Sequence, residues 1–313
     1  MTNNSTIIKA IKLTKWYGRV IALNKITVNI PAGITGLLGP NGAGKTTFIK
    51  LMIGNLRPSS GIIEVFNENP WQNKKLYKKI GYCPEYDAFY NWQTGREFVR
   101  TLTRLYGYTY QESVQLANEA IKTVKMEKHA DRVIGGYSKG MKQRIKLAQA
   151  IAHDPELIIL DEPLAGADPK TRAHLINIIR DYVKRGKSVI VSSHILHEIE
   201  KMSSRILLVY EGKLLAFGKI HEIRDLIDKH PHEIKIITEN SRKLSKALVE
   251  HPTIISINFN KEDNNVLFVK TLDPATFYRD LPKIIDSLGL KTWHISSTDD
   301  NLEAVFKYLV KRE

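Results

Sequence analysis

Gly39-Pro40-Asn41-Gly42-Ala43-Gly44-Lys45-Thr46 is the stretch on which the reading of this chain turns. It fits the pattern GxxxxGK(S/T) and lies between two recognisable elements. Before it, Ile34–Leu38 is a short apolar run that reads as a buried strand; after it, residues 46–56 carry a helical pattern. A turn of this composition suits a phosphate chain. Glycines let consecutive backbone N–H groups point at one anion with no Cβ in the way. The helix that follows adds the favourable potential of its N-terminus. Lys45 supplies a cation to the phosphates, and the Thr46 hydroxyl supplies a ligand for Mg²⁺, with Thr47 beside it in the first turn.

Moving outward, Leu157–Leu160 is an uninterrupted apolar run ending in Asp161-Glu162. Such a run fits a strand covered on both faces. Acids at the carboxyl end of a strand in an open α/β sheet reach the ligand crevice. Asp161 is then placed to hold Mg²⁺, and Glu162 to accept a proton from water. His194 follows another apolar run, 188–191, in the same way, and its imidazole is a candidate to orient that water. Alone, two acids and a histidine at strand ends are ordinary surface residues; beside the glycine-rich loop they form a set. Strand signals vanish between Trp92 and His129, where helical stripes run through Phe98, Leu102 and Leu105 and through Ala117, Ile121 and Val124. This reads as a helical insert, about 86–140, in an α/β domain covering 1–220. Residues 221–313 then show strand (234–238), helix (241–250), two strands (Ile254–Phe259, 266–270), a helix from Pro274 and a strand (291–296). That order is the split βαβ of a small α+β domain of ferredoxin-like type. A last helix is expected at 301–309.

Of the 313 residues, 42% are apolar and 26% charged, which excludes a disordered chain. The net charge is +14, and it is unevenly placed: residues 1–220 hold 33 basic and 18 acidic residues, the remainder 14 and 15. An excess of that sign predicts an anionic partner for the first domain. One cysteine, Cys83, excludes an intrachain disulfide and points to a reducing compartment. No apolar stretch approaches the roughly 20 residues a membrane span takes, and the N-terminus lacks a signal-peptide core. A cytoplasmic location is expected.

With these residues in place, the chain resembles the ATP-binding subunits of ABC transporters, above all the separate ATPase subunits of drug, antibiotic, sodium or polysaccharide exporters. The likeness covers about residues 7–217. Tyr17, in Lys15-Trp16-Tyr17-Gly18, resembles the aromatic that stacks on adenine. Tyr137-Ser138-Lys139-Gly140-Met141 resembles the family's signature, and Ala165-Gly166-Ala167-Asp168 its interface loop. The resemblance implies a P-loop NTPase fold with a mixed sheet and a helical insert. It implies ATP held by Tyr17, by Gly39 through Thr47 and by Glu85, with Mg²⁺ on Thr46, Asp161 and Glu85. It implies two subunits sandwiching two ATP molecules, so that Ser138, Lys139 and Gly140 meet the nucleotide of the partner and Asp168 lies at the interface. Glu162, His194 and Lys45 would carry catalysis.

The sequence departs from that pattern where Glu85 stands for the usual glutamine, Lys139 and Met141 for glycine and glutamine, and Ala167 for leucine. The resemblance also implies a membrane-embedded permease as partner, docked near Glu85 and the aromatic group Tyr86, Phe89, Tyr90 and Trp92, and a peripheral place on the cytoplasmic face of the membrane. The remaining positive charge suits an anionic lipid surface, whereas nucleic acid is disfavoured as partner. The alternatives are an importer ATPase, or an ABC ATPase acting on ribosomes or nucleic acid.

Overall fold

The computed structural model describes residues 5–219, 232–260 and 263–297. They belong to two compact units, Met1–Lys219 and Ile220–Glu313. The first opens with two long strands, β1 (Thr6–Tyr17) and β2 (Val20–Pro31), paired antiparallel through a tight turn. β3 (Ile34–Leu38) leaves for a second sheet, and β4 (Ser60–Val65) returns to the free edge of β1. The three-stranded sheet so formed, in order β2-β1-β4, is an element that the alternation of the sequence conceals. Bulges interrupt it, with Lys12 and Lys25 at φ +48° and +50°, and each bulge breaks the period of two.

The second sheet has six strands. β5 (Ile80–Cys83), β6 (Leu157–Leu160), β7 (Ser188–Ser193), β3, β8 (Arg205–Tyr210) and β9 (Lys213–Lys219) lie in the order β5-β6-β7-β3-β8-β9. All neighbours are parallel except β8 and β9, so the sheet is mixed. Helix α1 (Lys45–Met52) joins the two sheets in one core. Its buried Phe48, Ile49, Leu51 and Met52 share a cluster with Ile8 and Leu23 of the antiparallel sheet and Leu37 and Ile159 of the mixed one. Burying each such side chain contributes about 1.5–3 kcal/mol, and that anchoring makes the loop preceding α1 a fixed feature. The helix expected over 46–56 stops at Met52. Gly54 takes φ +70°, and Asn55 and Leu56 fold back to donate to the Lys50 carbonyl, which closes the helix.

After the short helix α2 (Lys74–Tyr77) and β5, the chain enters the insert. α3 (Gly95–Leu105) and α4 (Tyr110–Thr123) each begin with a reciprocal cap, Thr94 with Glu97 and Thr109 with Glu112. An antiparallel bridge between Thr94 and Val133 closes the insert's base. Phe89 packs edge-on against Phe98 at 5.0 Å, which accounts for it as part of the insert's packing. α5 (Lys139–Ile151) then runs back to the sheet, and α6 (Pro169–Lys184) and α7 (Leu196–Glu200) follow β6 and β7.

The second unit is β10 (His232–Thr238), α8 (Ser241–Leu248), β11 (Ile254–Phe259), β12 (Val266–Thr271), α9 (Pro274–Ser287) and β13 (Thr292–Ser297). Its sheet is antiparallel throughout, in order β11-β12-β10-β13. Leu244, Leu248, Phe277 and Leu281 from the helices cover Ile234, Ile236, Leu267 and Val269 on one face of the sheet. The helix expected at 301–309 lies outside the described residues.

Candidate nucleotide site

The glycine-rich loop crosses from the end of β3 to the start of α1. Two of its glycines are required by space, and one of them by conformation as well. A Cβ on Gly39 would lie 2.4 Å from the Val209 carbonyl oxygen, and one on Gly44 would lie 2.6 Å from that of Ala22. Gly44 also caps α1 at φ +104°, a region closed to most L-residues. The loop is thereby pressed against β8 and β2. Lys45 is buried, and its ammonium donates to the carbonyls of Gly39 at 2.7 Å and Pro40 at 3.3 Å. It also pairs with Glu162 Oε1 at 3.3 Å. Lysine and loop thus hold one another, with the cation turned inward over the turn.

The two acids at the end of β6 meet this loop from the other side. Thr46 Oγ1 donates to Asp161 Oδ2 at 3.0 Å, and Ser192 Oγ on β7 donates to Asp161 Oδ1 at 2.6 Å. Burial pushes the Asp161 carboxyl above the usual carboxylate range, and these two hydroxyls pull it back. Glu162 is buried too, at φ +47°, a left-handed conformation for a residue with a full side chain. That costs on the order of 1 kcal/mol or more, and its neighbours hold it there. The Glu162 N–H donates to Ser192 Oγ at 2.8 Å, and Gln143 Nε2 donates to the Pro163 carbonyl at 2.9 Å. His194 Nδ1 lies 3.1 Å from Glu162 Oε2. Thr46, Asp161, Glu162, His194 and Lys45 therefore form one connected group. Thr46 and Asp161 present hard oxygen donors within hydrogen-bonding distance of each other, a set that fits Mg²⁺; groups of three or more acids, histidines or cysteines suited to a metal are absent among the described residues.

A cleft of about 430 Å³ opens over the group. Pro40, Asn41, Gly42 and Gly44 line it with Lys45, Thr46 and Thr47; Glu162 and Glu85 close the opposite side. Gly39 and Ala43 sit behind this surface, both buried. Burial, and then the carboxylates of Asp161 and Glu162, push the Glu85 carboxyl above its ordinary range, while Lys45 and Lys146 oppose the shift. At the outer end the lining is Val20, Ile21 and Ala22, an apolar shelf that can receive the flat face of a base. Tyr17 is outside the lining. It stands on β1 opposite Val20, half-exposed, with the Lys15 ammonium 5.5 Å from its ring. Exposed Val20 and Ile21 just after a strand turn were the available signal for the shelf; Ser192 and Gln143 offered only a hydroxyl at a strand end and an amide within a helix.

A second group lies apart from this cleft. Ser138 caps α5, accepting from the Met141 N–H at 3.3 Å. Asp168 caps α6, accepting from the Thr171 N–H at 2.9 Å and from its hydroxyl at 2.7 Å; these bonds hold the carboxyl below its ordinary range. A Cβ on Gly140 would approach Asp168 Oδ2 to 3.3 Å, and one on Gly166 would overlap the Lys139 side chain. Ser138, Lys139, Gly140 and Asp168 therefore form a single surface of paired helix N-termini, none of it among the residues lining the cleft.

A strand, a glycine-rich loop and a helix, faced by two acids at the end of β6, one strand removed from β3 in the sheet, define a P-loop nucleoside triphosphatase. Residues 23–165 match the family model described as ABC transporter. The chain is 39% identical to the bacitracin transport ATP-binding protein BcrA of Bacillus licheniformis, over 98% of each chain. It is 33% identical to the Nod factor export ATP-binding protein I of Burkholderia orbicola, over 67% of this chain and 69% of that one. Among solved structures, an ATP binding subunit of an ABC transporter superposes with a TM-score of 0.65 at 26% identity, covering 71% of this chain and 93% of its own. The chain belongs to the ATP-binding subunits of ABC transporters and is an ATP hydrolase of that family.

Proposed function

We propose that this subunit drives an exporter, working in a pair whose two cleft-and-signature sites are each completed across the subunit interface. The observation that carries the reading is the separation of the cleft from the Ser138–Gly140 and Asp168 surface within one chain. Helix N-termini attract anions, and here two of them stand together with no phosphate loop of their own chain to serve. A second copy brings one. The outward direction is supported by the relative named for Nod factor export, and BcrA is named for bacitracin transport.

In the completed site Lys45 and the loop N–H groups hold the phosphates and offset their charge. Thr46 and Asp161, together with Glu85, would hold Mg²⁺, which would supply Lewis-acid polarisation of the phosphates. Glu162 takes the proton of the attacking water, and His194 orients the Glu162 carboxylate and the water from the far side. Hydrolysis removes the ligands that bridge the subunits, so closure of the pair follows the nucleotide. A permease would read that closure through the exposed aromatic side chains of Tyr86, Tyr90 and Trp92. No helix of the described residues is long and apolar enough to cross a membrane, so the subunit would sit on the cytoplasmic face through its partner, with anionic lipid offsetting the positive excess of residues 1–220. The second unit is read as a ferredoxin-like module assisting assembly.

The test is to trap Glu162→Gln with ATP and identify what co-purifies. A multi-span permease is expected. Ribosomes or nucleic acid alone would overturn the reading.

A further inference from the structure

One stripe of α5 is fastened to the outer strand of the mixed sheet. β5 is the sheet's edge, and an edge strand carries carbonyls without a backbone partner. Side chains of α5 supply the missing donors. Gln149 Nε2 donates to the Tyr82 carbonyl at 2.6 Å, and just past the helix end His153 Nε2 bonds that of Ile80 at 3.1 Å. Where the strand stops, the stripe continues. Lys146 Nζ donates to the Glu85 carbonyl at 2.8 Å and meets Asp87 Oδ1 at 3.2 Å; Lys142 reaches Asp87 Oδ2 at 3.6 Å. Positions 142, 146, 149 and 153 recur at the three-to-four spacing of one helix face.

Lys146 is the member of this stripe that packing alone does not explain. Its side chain is 4% exposed, between the buried Ile145 and Leu147. A buried ammonium costs several kcal/mol unless its donors are met. Here they are met by the peptide of Glu85 and by Asp87, which is itself 44% exposed and well hydrated. An apolar residue would fill the position at no such cost and would leave Asp87 content in water. What the lysine adds is a directed hold on the segment that puts Glu85 at the cleft.

We propose that Lys146 is a positioning residue for ATP hydrolysis: it binds the Glu85 peptide to α5, so that the Glu85 carboxylate at one site and the Ser138–Gly140 segment, two turns away at the start of the same helix, move as one body. A helix of that length is about 10 Å of rigid rod. A displacement of Glu85 on metal–nucleotide loading is therefore delivered to the surface that serves the partner's nucleotide. The inference rests on the reading of Glu85 as facing Mg²⁺ and ATP.

The experiment uses the full chain with Lys146→Met, which keeps length and removes charge, and Lys146→Arg, which keeps the donors. Two quantities are read. One is steady-state hydrolysis against Mg²⁺ and ATP. The other is the gain in ATP affinity on adding Mg²⁺, measured by calorimetry in a Glu162→Gln background. Lys146→Met is expected to lower kcat about tenfold and to shrink the Mg²⁺-dependent gain about fivefold, with ATP affinity in the absence of Mg²⁺ within about twofold, since the phosphate loop is untouched. Lys146→Arg is expected to restore most of both. Asp87→Asn lies outside the core and should give the same pattern at about threefold, which decides the matter if Lys146→Met does not fold. A folded Lys146→Met or Asp87→Asn chain with wild-type kcat and Mg²⁺ dependence would overturn the proposal, as would an Arg variant no better than Met. Glu85→Ala separates the two levels. If it alters the Mg²⁺ dependence and Lys146→Met does not, the reading of Glu85 stands and the inference falls. If Glu85→Ala leaves that dependence unchanged, both fall.

Discussion

The phosphate-loop group and the Ser138–Asp168 surface are built from similar materials and finished differently. In the first, Lys45, Asp161 and Glu162 are buried, and their charges are answered within the chain by the loop carbonyls, Thr46, Ser192 and one another. In the second, Ser138, Lys139 and Asp168 are exposed, and the hydrogen bonds of Ser138 and Asp168 are those of helix caps. A cap orders a helix start and leaves the remaining N–H groups free to meet an anion. The first region answers its own charges within a single chain. The second, on the proposed reading, is a prepared surface whose ligand would arrive with another chain.

Substitutions that spare the fold test this contrast most sharply. Glu162→Gln should produce the largest effect. It keeps shape and burial but cannot take a proton, so turnover should fall about a thousandfold while ATP binding by calorimetry is retained. Near-normal turnover would mean that the completed region lacks its base. Ser138→Asp comes next. Aspartate caps helices as well as serine does, so α5 should form, yet a carboxylate would now face the incoming phosphate. Turnover should fall about a hundredfold, with ATP affinity of the single chain within about twofold. Unchanged turnover would show that the two regions do not serve one reaction.

The smallest effect concerns the fastening between them. His153 is buried, stacked on Tyr106 with ring centres 3.8 Å apart, and burial pushes its pKa down to about 4. The folded value lies below the unfolded one of about 6.5, so the unfolded chain binds the extra proton between them. The stability held by neutral His153 is present at pH 7 and lost as pH falls from about 6.5 towards 4, about 2 kcal/mol by pH 5. His153→Phe should lose that much less between pH 7 and pH 5 in urea unfolding, at a cost of about 1 kcal/mol at pH 7 for the missing bond to Ile80. Equal losses in both chains would place the acid sensitivity elsewhere.

The regions also differ in how far their residues announce them. Gly39 to Thr46 and Leu157 to Glu162 are contiguous, and each carries its chemistry and its structural context in one short window. The second unit's strands and helices follow from their own local periods in the same way. The antiparallel sheet of β1, β2 and β4 does not. Its partners are distant, and the bulges at Lys12 and Lys25 shift the alternation midway. Nor does Lys146, which in the sequence is one more cation in a basic helix. Only the arrival of β5 and the Glu85 segment against that face turns it into a buried charge with two partners. The shelf of Val20 and Ile21 is hidden for the same reason, since two exposed apolar residues acquire meaning from the loop that folds beside them.

Cys83, on β5, has a practical consequence. It is the chain's one cysteine, it is buried, and burial pushes its thiol up to about 12. The reactive species is the thiolate, so the native protein offers thiol reagents almost nothing to modify. A cysteine introduced on the surface would therefore be the sole reporter on a silent background. Placed at Asn41 in one copy and at Ser138 in another, such a pair would register the head-to-tail meeting of two chains as a covalent bond.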